Sequence, residues 1–214
     1  MVDLFSDARR LRLDGADVVY HPAPDLGVDP DELFERLRSG IEWQQHSVRI
    51  QDQVIPQPRL SSWHGDVVHT YSTLAHVLVP TPFDGLLGAL RARLERLTGA
   101  RYNSMLANLY RDGSDAIGWH SDGEPELGRE PVIASISLGA ERRFDLRRRD
   151  DHADVARIRL EHGSLLVMSG GTQRNWQHAI ARTRAAIGER INLTFRLTAE
   201  ASSRVRSKYE ESGR

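Results

Sequence analysis

A succession of short strand-like runs, which begins at Ser104, constrains the fold more than any other feature of the sequence. Turn residues, many of them glycines, separate the runs. The predicted strands are Met105–Arg111, Ile117–His120, Val132–Leu138, Arg142–Arg149, Val155–Leu160, Ser164–Met168, Trp176–Ile180 and Ile191–Leu197. In the last run, apolar residues alternate with Asn192, Thr194 and Arg196, as in a strand with two different faces. These short strands predict a two-sheet jelly roll, also called a double-stranded β-helix, over residues 104–198.

Two amphipathic helices are predicted before these strands. Residues 31–38 follow Asp29–Pro30, which is typical of a helix start, and they repeat leucine and phenylalanine at helical spacing. The second helix is predicted from Phe83 to Leu97, with Gly99 as its stop. The order of helices before strands predicts a mainly β fold with supporting α-helices.

The length of 214 residues is typical of a single domain. We divide it into residues 1–103, which carry helical support and a substrate lid at about 44–79, and the jelly-roll catalytic core in residues 104–198. The lid segment is rich in Gln, Pro, His, Trp and Tyr and has no clear core face, which favours a binding role. The polar residues 199–214 are predicted to form a disordered tail.

Composition excludes several kinds of chemistry. The sequence contains no cysteine, which excludes disulfides, thiolate catalysis and cysteine-ligated metals. No apolar run approaches the roughly 20 residues of a membrane span. The first residues do not resemble a secretory leader, so we expect a cytoplasmic protein without membrane association. A net charge of -1 does not by itself predict a nucleic-acid partner.

Two potential metal ligands, His120 and Asp122, lie two positions apart and so share one face of a strand. A distant histidine would complete a facial triad that leaves three positions open for a chelating cosubstrate and O2. The same spacing recurs at His152–Asp154, within a charged stretch typical of a solvated hairpin tip. His178, in a strand-like run, and His162, before a turn glycine, compete for the third position. Spacing favours His178.

The C-terminal strand places Arg190, Asn192, Thr194 and Arg196 on one face. This face requires no partner if it meets solvent. If it points into a jelly-roll interior, two buried guanidiniums need anionic partners. A dicarboxylate such as 2-oxoglutarate is a suitable partner, because arginine binds carboxylates bidentately. The residues alone leave both alternatives open.

Several motifs occur together in a characteristic order. They are Asn108-x-Tyr110, His120-x-Asp122, His178 and Arg190-x-Asn192-x-Thr194-x-Arg196. In this order and spacing they resemble the AlkB family of nucleic-acid dealkylating dioxygenases. Stretches at 58–65, 131–139 and 162–168 are also similar, so the resemblance covers about residues 49–197. It is greatest to the branch that repairs alkylated bases in DNA and some RNA.

The resemblance implies a role for each motif. The residues implied as Fe(II) ligands are His120, Asp122 and His178. The residues implied for 2-oxoglutarate are Arg190 with Tyr110 at its distal carboxylate, Arg196 with Asn108 near the carboxylate that chelates iron, and Asn192 as a further hydrogen-bonding group.

The implied reaction is oxidative demethylation of N-alkylated bases, of the 1-methyladenine and 3-methylcytosine type, in DNA. Fe(II), 2-oxoglutarate and O2 would yield succinate and CO2, and the N-methyl carbon would leave as formaldehyde. One alternative is an RNA or tRNA demethylase or hydroxylase of the same family. Another is a non-catalytic jelly-roll binding protein with a structural metal. Arg190 and Arg196 argue against the latter, because a structural metal needs no dicarboxylate clamp.

The resemblance also implies a substrate side. A base must leave its stack to reach the iron, and it then needs flat partners. Tyr71 matches the lid position that stacks on the base in relatives, and Trp63 and His69 are further candidates. Glu124 matches the acidic residue that accepts a hydrogen bond from an exocyclic amine. Arg59 is expected to contact the lesion strand or a carboxylate.

One hairpin departs from the family pattern. Relatives that repair duplex DNA carry an apolar wedge there, whereas Gln51–Ile55 has a polar and acidic tip. Either Val54 or Ile55 substitutes for the wedge, or single strands are preferred. Arg111 and residues 147–149 are candidates for phosphate contacts, although such a charge run is usually a solvated face. We expect a monomer that acts on alkylated DNA, with RNA as the alternative.

Overall fold

The protein is described here by a computed structural model, which covers residues 7–50, 52–66, 80–152 and 155–199. The strands are β1 (Arg9–Leu11), β2 (Asp17–His21), β3 (Ser47–Ile50), β4 (Gln53–Pro56), β5 (Leu60–Gly65), β6 (Ser104–Tyr110), β7 (Ile117–His120), β8 (Ile133–Gly139), β9 (Arg142–Arg148), β10 (Val155–Leu160), β11 (Ser164–Ser169), β12 (Trp176–Ile180) and β13 (Arg190–Arg196). The helices are α1 (Pro30–Gly40), α2 (Gly85–Thr98) and α3 (Thr172–Asn175), with a 3-10 turn at Pro125–Leu127.

Two antiparallel sheets form the core. The major sheet has the strand order β1-β2-β11-β8-β13-β6-β5, and the minor sheet has the order β10-β9-β12-β7. Buried apolar residues of both sheets, among them Ile133, Leu146, Met168 and Trp176, pack against one another. All eight predicted strands are present, each within one residue of its predicted bounds. The prediction of a mainly β jelly roll with supporting helices is confirmed.

The two longer helices cover the other face of the major sheet. Leucines of α1 and α2 pack there against Met105, Leu193 and Phe195. Asp29 accepts hydrogen bonds from two backbone N–H groups in the first turn of α1, and Asp84 accepts one from the Leu87 N–H in the first turn of α2. Both predicted helices are therefore present, although α2 starts after the Asp84 cap. No helix among the described residues is long and apolar enough to cross a membrane.

Five strands lie before residue 104, where the sequence predicted only helices and a lid. Strand β2 pairs with β11, and β5 pairs with β6, so both extend the major sheet. The core therefore begins well before residue 104, and β5 lies within the stretch assigned to the lid. Strands β3 and β4 form a separate hairpin at 47–56. Residues 67–79 of the predicted lid and 200–214 of the predicted tail lie outside the described residues.

The turn after β8 requires glycine. Gly139 has a φ of +82°, and a Cβ at this position would lie 2.4 Å from the backbone oxygen of Glu189. Gly139 pairs with Arg190, the first residue of β13. A side chain at position 139 would therefore obstruct the start of β13, where Arg190 lies.

Candidate metal and 2-oxoglutarate site

Two histidines meet across the pair formed by β7 and β12. His120 lies directly opposite His178, and their ring centroids are 4.2 Å apart. Opposite residues of an antiparallel pair point to the same side, so both imidazoles share one face of the minor sheet. Nδ1 of His120 lies 2.8 Å from the backbone oxygen of Gly118 and must donate to it. Nε2 of His120 is therefore the nitrogen available to a metal.

Asp122 completes the group from just beyond the end of β7. Its Oδ1 lies 3.8 Å from Nε2 of His120. One ligand atom from each of His120, Asp122 and His178 can be chosen so that all lie within 4.8 Å of one another. The structure thus brings together the three residues that the sequence proposed as metal ligands.

The two rival histidines lie elsewhere. Nδ1 of His162 accepts a hydrogen bond of 2.7 Å from the Gly139 N–H, and its other nitrogen lies 3.4 Å from Asp31. His152 is exposed, with a φ of +59°, and Asp154 lies outside the described residues. Spacing favoured His178 over His162, and the pairing of β12 with β7 brings His178, and not His162, beside His120.

Two further side chains hold Asp122. Nη2 of Arg196 lies 2.9 Å from its Oδ2. Oε1 of Gln173 accepts a hydrogen bond of 2.9 Å from its backbone N–H. Gln173 is buried on α3, and sequence reasoning missed it because a glutamine in a short turn carries no periodic signal. Arg196 thus contacts a candidate metal ligand, and it also shares the face of the predicted 2-oxoglutarate residues.

The charges of the group suit a divalent metal. Burial would raise the pKa of Asp122, but Arg196 and the two imidazoles hold it well below its usual range. Burial, together with the neighbouring His120, lowers the pKa of His178 to about 3. The carboxylate is therefore ionised and His178 is neutral at pH 7. Metal ligation requires these protonation states.

A buried polar face of the major sheet completes the site. Strand β13 lies between β8 and β6, and its residues Arg190, Asn192, Thr194 and Arg196 are all buried. Of the two alternatives that the sequence left open, the structure shows the buried one: both guanidiniums point into the interior.

Arg190 is incompletely hydrogen-bonded. Nη2 donates to the Ser137 hydroxyl at 2.9 Å, whereas its buried Nε and Nη1 have no hydrogen-bond partner among the described residues. The guanidinium lies 5.1 Å from the centre of the Tyr110 ring. A buried cation with two donors to spare is costly unless an anion completes it. The geometry therefore suits a carboxylate that would approach Arg190 beside Tyr110.

Comparison with known proteins agrees with this geometry. The family model described as the 2OG-Fe(II) oxygenase superfamily matches residues 29–196. DNA oxidative demethylase ALKBH2 of Mus musculus is 34% identical over 200 residues, which cover 89% of this chain and 83% of the relative. This chain belongs to the AlkB family.

Other relatives of the AlkB family are also similar. Alpha-ketoglutarate-dependent dioxygenase alkB homolog 3 of Rattus norvegicus is 41% identical over 177 residues, which cover 78% of this chain. The chain spans 59% of the length of that relative. The solved structure of OsALKBH1 superposes with a TM-score of 0.60 at 17% identity, and the match covers 84% of this chain and 97% of OsALKBH1. That likeness supports the fold alone.

Two amides of the AlkB motifs already have partners within the protein. Asn192 donates through Nδ2 to the Ser135 hydroxyl at 2.8 Å and to the Ile136 carbonyl at 2.9 Å. Asn108 accepts at Oδ1 a hydrogen bond of 3.0 Å from Nε of Arg59. Asn108 and Asn192 are also directly paired across β6 and β13. Donation from Asn192 to a ligand would therefore replace one of its two bonds to β8.

The predicted substrate residues differ in how well their surroundings suit substrate binding. Glu124 has a buried carboxylate oxygen without a hydrogen-bond partner among the described residues. Burial and the nearby Asp122 raise its pKa. Arg59 reaches Asn108. Burial lowers the pKa of His120, and the charge of Arg59 adds to this effect. Trp63 is only 3% exposed, so little of its ring is open for stacking.

The remaining candidates lie outside the described residues, are already paired, or are exposed. Tyr71 and His69 fall in 67–79, outside the described residues. Arg111 is paired with Asp115 through two hydrogen bonds of 2.7 and 2.8 Å, which disfavours the predicted phosphate contact. In the predicted wedge hairpin, Val54 is 55% exposed.

Buried Arg142 was also missed by sequence reasoning. It donates to the carbonyls of Asp115 at 2.9 Å and Ala181 at 2.7 Å. Its guanidinium lies 5.7 Å from the centre of the Tyr110 ring, which Arg190 also approaches. Arg142 sits among other arginines at the start of β9, and in the sequence nothing distinguishes it from them. Its contacts link β9 to the residues around Tyr110 at the candidate site.

Proposed function

We propose that the protein is an Fe(II)- and 2-oxoglutarate-dependent dioxygenase that oxidatively demethylates N-alkylated bases, of the 1-methyladenine and 3-methylcytosine type, in DNA. The observation that carries the proposal is the incomplete hydrogen bonding of buried Arg190, in the same interior as the His120, Asp122 and His178 group. A structural metal would not require such a guanidinium. The combination therefore favours an oxygenase over a non-catalytic binding protein.

The donor set fits iron. Two imidazoles and one ionised carboxylate form the set used by non-heme Fe(II) oxygenases, and such a set leaves coordination positions open. Iron with 2-oxoglutarate and O2 supplies the oxidation, from which succinate, CO2 and formaldehyde result. His120, Asp122 and His178 would hold the metal. Gln173 and Arg196 would keep the Asp122 carboxylate in place.

The cosubstrate would be oriented from the major sheet. Arg190, with Tyr110 and the Ser137 hydroxyl beside it, would bind the distal carboxylate of 2-oxoglutarate. The two unsatisfied N–H groups lie on different edges of the guanidinium, and each can donate to a carboxylate oxygen. Arg196 would contribute positive charge near the chelating end. The polar face of β13 would thereby align the dicarboxylate along one strand.

The base would be recognised by residues next to Asp122. The buried, unpartnered oxygen of Glu124 is a suitable acceptor for an exocyclic amine. Burial excludes water, so a base that leaves this acceptor unpaired would bind less well. The name of the ALKBH2 relative, a DNA oxidative demethylase, supports DNA as the polymer.

A panel of lesions tests the proposal. Single-stranded and duplex DNA and RNA with 1-methyladenine, 3-methylcytosine or ethenoadenine are incubated with protein, Fe(II) and 2-oxoglutarate. Formaldehyde from the methylated DNA strands, with an equal amount of succinate, is expected. Formaldehyde from RNA alone would refute the DNA assignment in favour of the RNA alternative. Absence of succinate with every member would refute the oxygenase itself. The His178→Ala variant is the control, and turnover by it would contradict the metal assignment.

A further inference from the structure

The outer face of the minor sheet carries arginines that the proposed reaction does not use. Arg143 and Arg147 on β9 alternate with inward-facing residues, and Arg157 and Arg159 do the same on β10. Arg159 lies directly opposite Arg143, so all four side chains share one side of the sheet. We call these four residues, together with Trp119 on β7, which is separated from β9 by β12, the arginine face.

The arginine face carries excess positive charge. Asp145 lies 2.8 Å from Arg143 and 3.7 Å from Arg157, so two guanidiniums share one carboxylate. Arg159 pairs with Glu141 at 2.8 Å. Among the described residues of this face, four guanidiniums thus meet two carboxylates. The side chains of Arg157 and Arg159 are 63% and 79% exposed, so they are accessible to a large anion.

An exposed aromatic ring lies at one end of this face. Trp119 is 39% exposed, and the guanidinium of Arg147 lies 4.3 Å from its ring centre. Arg147 also donates to Oε1 of Gln177 at 3.0 and 2.8 Å, which fixes its position over the ring. An ordered cation beside an exposed indole combines phosphate binding with a surface on which a base can stack.

The arginine face adjoins the metal site at a sheet edge. Strand β7 is the last strand of the minor sheet. Trp119 precedes His120 on β7, where the pairing with β12 is irregular. The Trp119 ring lies against Arg147 on the outer side of the sheet, whereas the His120 ring contacts His178 on the inner side. A chain that crosses this edge can place one nucleotide at the metal and its neighbours on the arginine face.

We propose that the arginine face binds a single strand of nucleic acid, with its arginines on the phosphates and Trp119 stacked on a base next to the damaged one. The proposal rests on the proposed function, since the strand must lead to the metal site. Stacking on Trp119 requires an unpaired base, which commits the face to a single strand. A face that serves only for solvation would contribute nothing to strand binding.

Fluorescence anisotropy tests the proposal directly. The full chain with Mn(II) and 2-oxoglutarate is titrated into an undamaged, labelled single-stranded DNA of about 12 nucleotides, within the usual site size of such surfaces, at several salt concentrations. In Arg157→Gln/Arg159→Gln, the slope of log K against log salt is expected to fall by about 1.4, because each lost phosphate contact in a single strand removes about 0.7. In Trp119→Ala, the dissociation constant is expected to rise about fivefold or more.

The double variant Arg36→Gln/Arg96→Gln is the matched control. It removes the same charge from exposed positions of α1 and α2, beyond the far face of the major sheet. An equal slope in the two double variants, each with an unchanged melting temperature, would overturn the proposal. The probe carries no lesion, so this binding measurement does not depend on demethylation. Failure of the demethylase assay would refute the proposed function without changing the result of the binding measurement.

Discussion

Asp122 lies where the minor sheet stops supplying hydrogen bonds. Strand β7 ends at His120, so the backbone N–H of Asp122 has no strand partner, although the residue is buried. Gln173 satisfies that N–H, and Arg196 satisfies the carboxylate. The candidate metal ligand Asp122, on irregular backbone, is thereby held at both its backbone and its side chain.

We expect Gln173→Leu to weaken Mn(II) binding by roughly 10- to 100-fold, because loss of a group that orients a metal ligand has an effect of this size. Isothermal titration of the metal-free protein measures it. Gln177→Leu is the control, because Gln177 lies on β12 but contacts Arg147 on the outer face. Equal affinities of the two variants would show that Gln173 does not position Asp122.

His178 makes the metal-free protein sensitive to acid. Its pKa is lowered to about 3 by burial, whereas an unfolded histidine titrates near 6.5. Between these values the unfolded state binds the extra proton, so the free energy of unfolding falls as pH is lowered from about 6.5 towards 3. One such group contributes at most about 1.4 kcal/mol per pH unit.

Urea unfolding at pH 7, 6 and 5 tests this dependence. The metal-free His178→Gln variant is expected to lose less stability on acidification than the unmodified protein, because its side chain does not titrate. A pH dependence as steep in the variant as in the parent would mean that His178 is protonated in the folded state.

The ligand motif could be predicted from sequence because strand spacing brings His120 and Asp122 to one side. The third ligand could not be settled by spacing, because the choice between His162 and His178 depends on which strands pair. Gln173 and Ser137 could not be predicted either, since their roles follow from contacts across the sandwich. Glu124 was found through resemblance, and its unpaired oxygen gives it a physical basis.

Among the elements, β13 contributes both to the hydrophobic core and to the candidate site. Its apolar side packs against the helices, and its polar side faces the sandwich interior. A one-residue shift of register would exchange these sides. Burial of both unlike faces therefore specifies the register, and Gly139 permits the close approach of Glu189 at the start of β13.

Arg190→Met is expected to raise the KM for 2-oxoglutarate by about 10- to 100-fold, because charge-assisted hydrogen bonds to a carboxylate are lost. Succinate release measures it, with the lesion strand at a fixed saturating concentration. Arg36→Met, on an exposed position of α1, is the matched control. An unchanged KM in Arg190→Met would remove the residue from the cosubstrate site.

The cap of α1 offers a test of local stability. Asp29 accepts hydrogen bonds from the N–H groups of Asp31 and Glu32 at 3.0 and 3.1 Å. Asp29→Ala is expected to lower the free energy of unfolding by about 1 kcal/mol. Urea denaturation measures this change, and Glu35→Ala, at an exposed mid-helix position, should change it much less. Equal effects would mean that the cap contributes nothing.

The helices and the eight later strands could be predicted from periodicity, caps and glycine turns. Strands β2 and β5 could not. Strand β5 carries serines, a tryptophan and a histidine, so its apolar alternation is weak, and pairing with β6 gives it strand structure. Pairing with other strands gives β2 and β5 their strand structure, whereas the local sequence is enough to predict the helices and the later strands.

For the molecule as a whole, the candidate site joins the two sheets. His120 and His178 belong to the minor sheet, whereas Arg190 and Arg196 belong to the major sheet. Ligands that contact both sets would oppose separation of the sheets. We therefore expect Mn(II) and 2-oxoglutarate together to stabilise the fold, by about 2.7 kcal/mol for a ligand at one hundred times its dissociation constant.

Thermal unfolding separates the two contributions. Mn(II) alone should raise the melting temperature of both the unmodified protein and Arg190→Met. Further addition of 2-oxoglutarate should raise it only in the unmodified protein. A full response of Arg190→Met to 2-oxoglutarate would contradict a carboxylate site at this residue.

The fold class and the family could be predicted from the whole chain, but the arginine face could not. The net charge of -1 is a sum over the whole chain, so it does not reveal a local excess of positive charge. The sequence drew attention to residues 147–149, whereas the sheet register collects Arg143, Arg157 and Arg159 beside Arg147. Which charges share a surface is a property of strand pairing.

The two spare donors of Arg190 also bear on what happens after turnover. Under the proposed function, succinate is formed in place, and it keeps the distal carboxylate that Arg190 would bind. The guanidinium therefore holds product as readily as cosubstrate, and discrimination between them falls to the keto acid end at the metal. Succinate would then compete with 2-oxoglutarate for Arg190, and the rate of the proposed reaction would follow the ratio of 2-oxoglutarate to succinate around the protein.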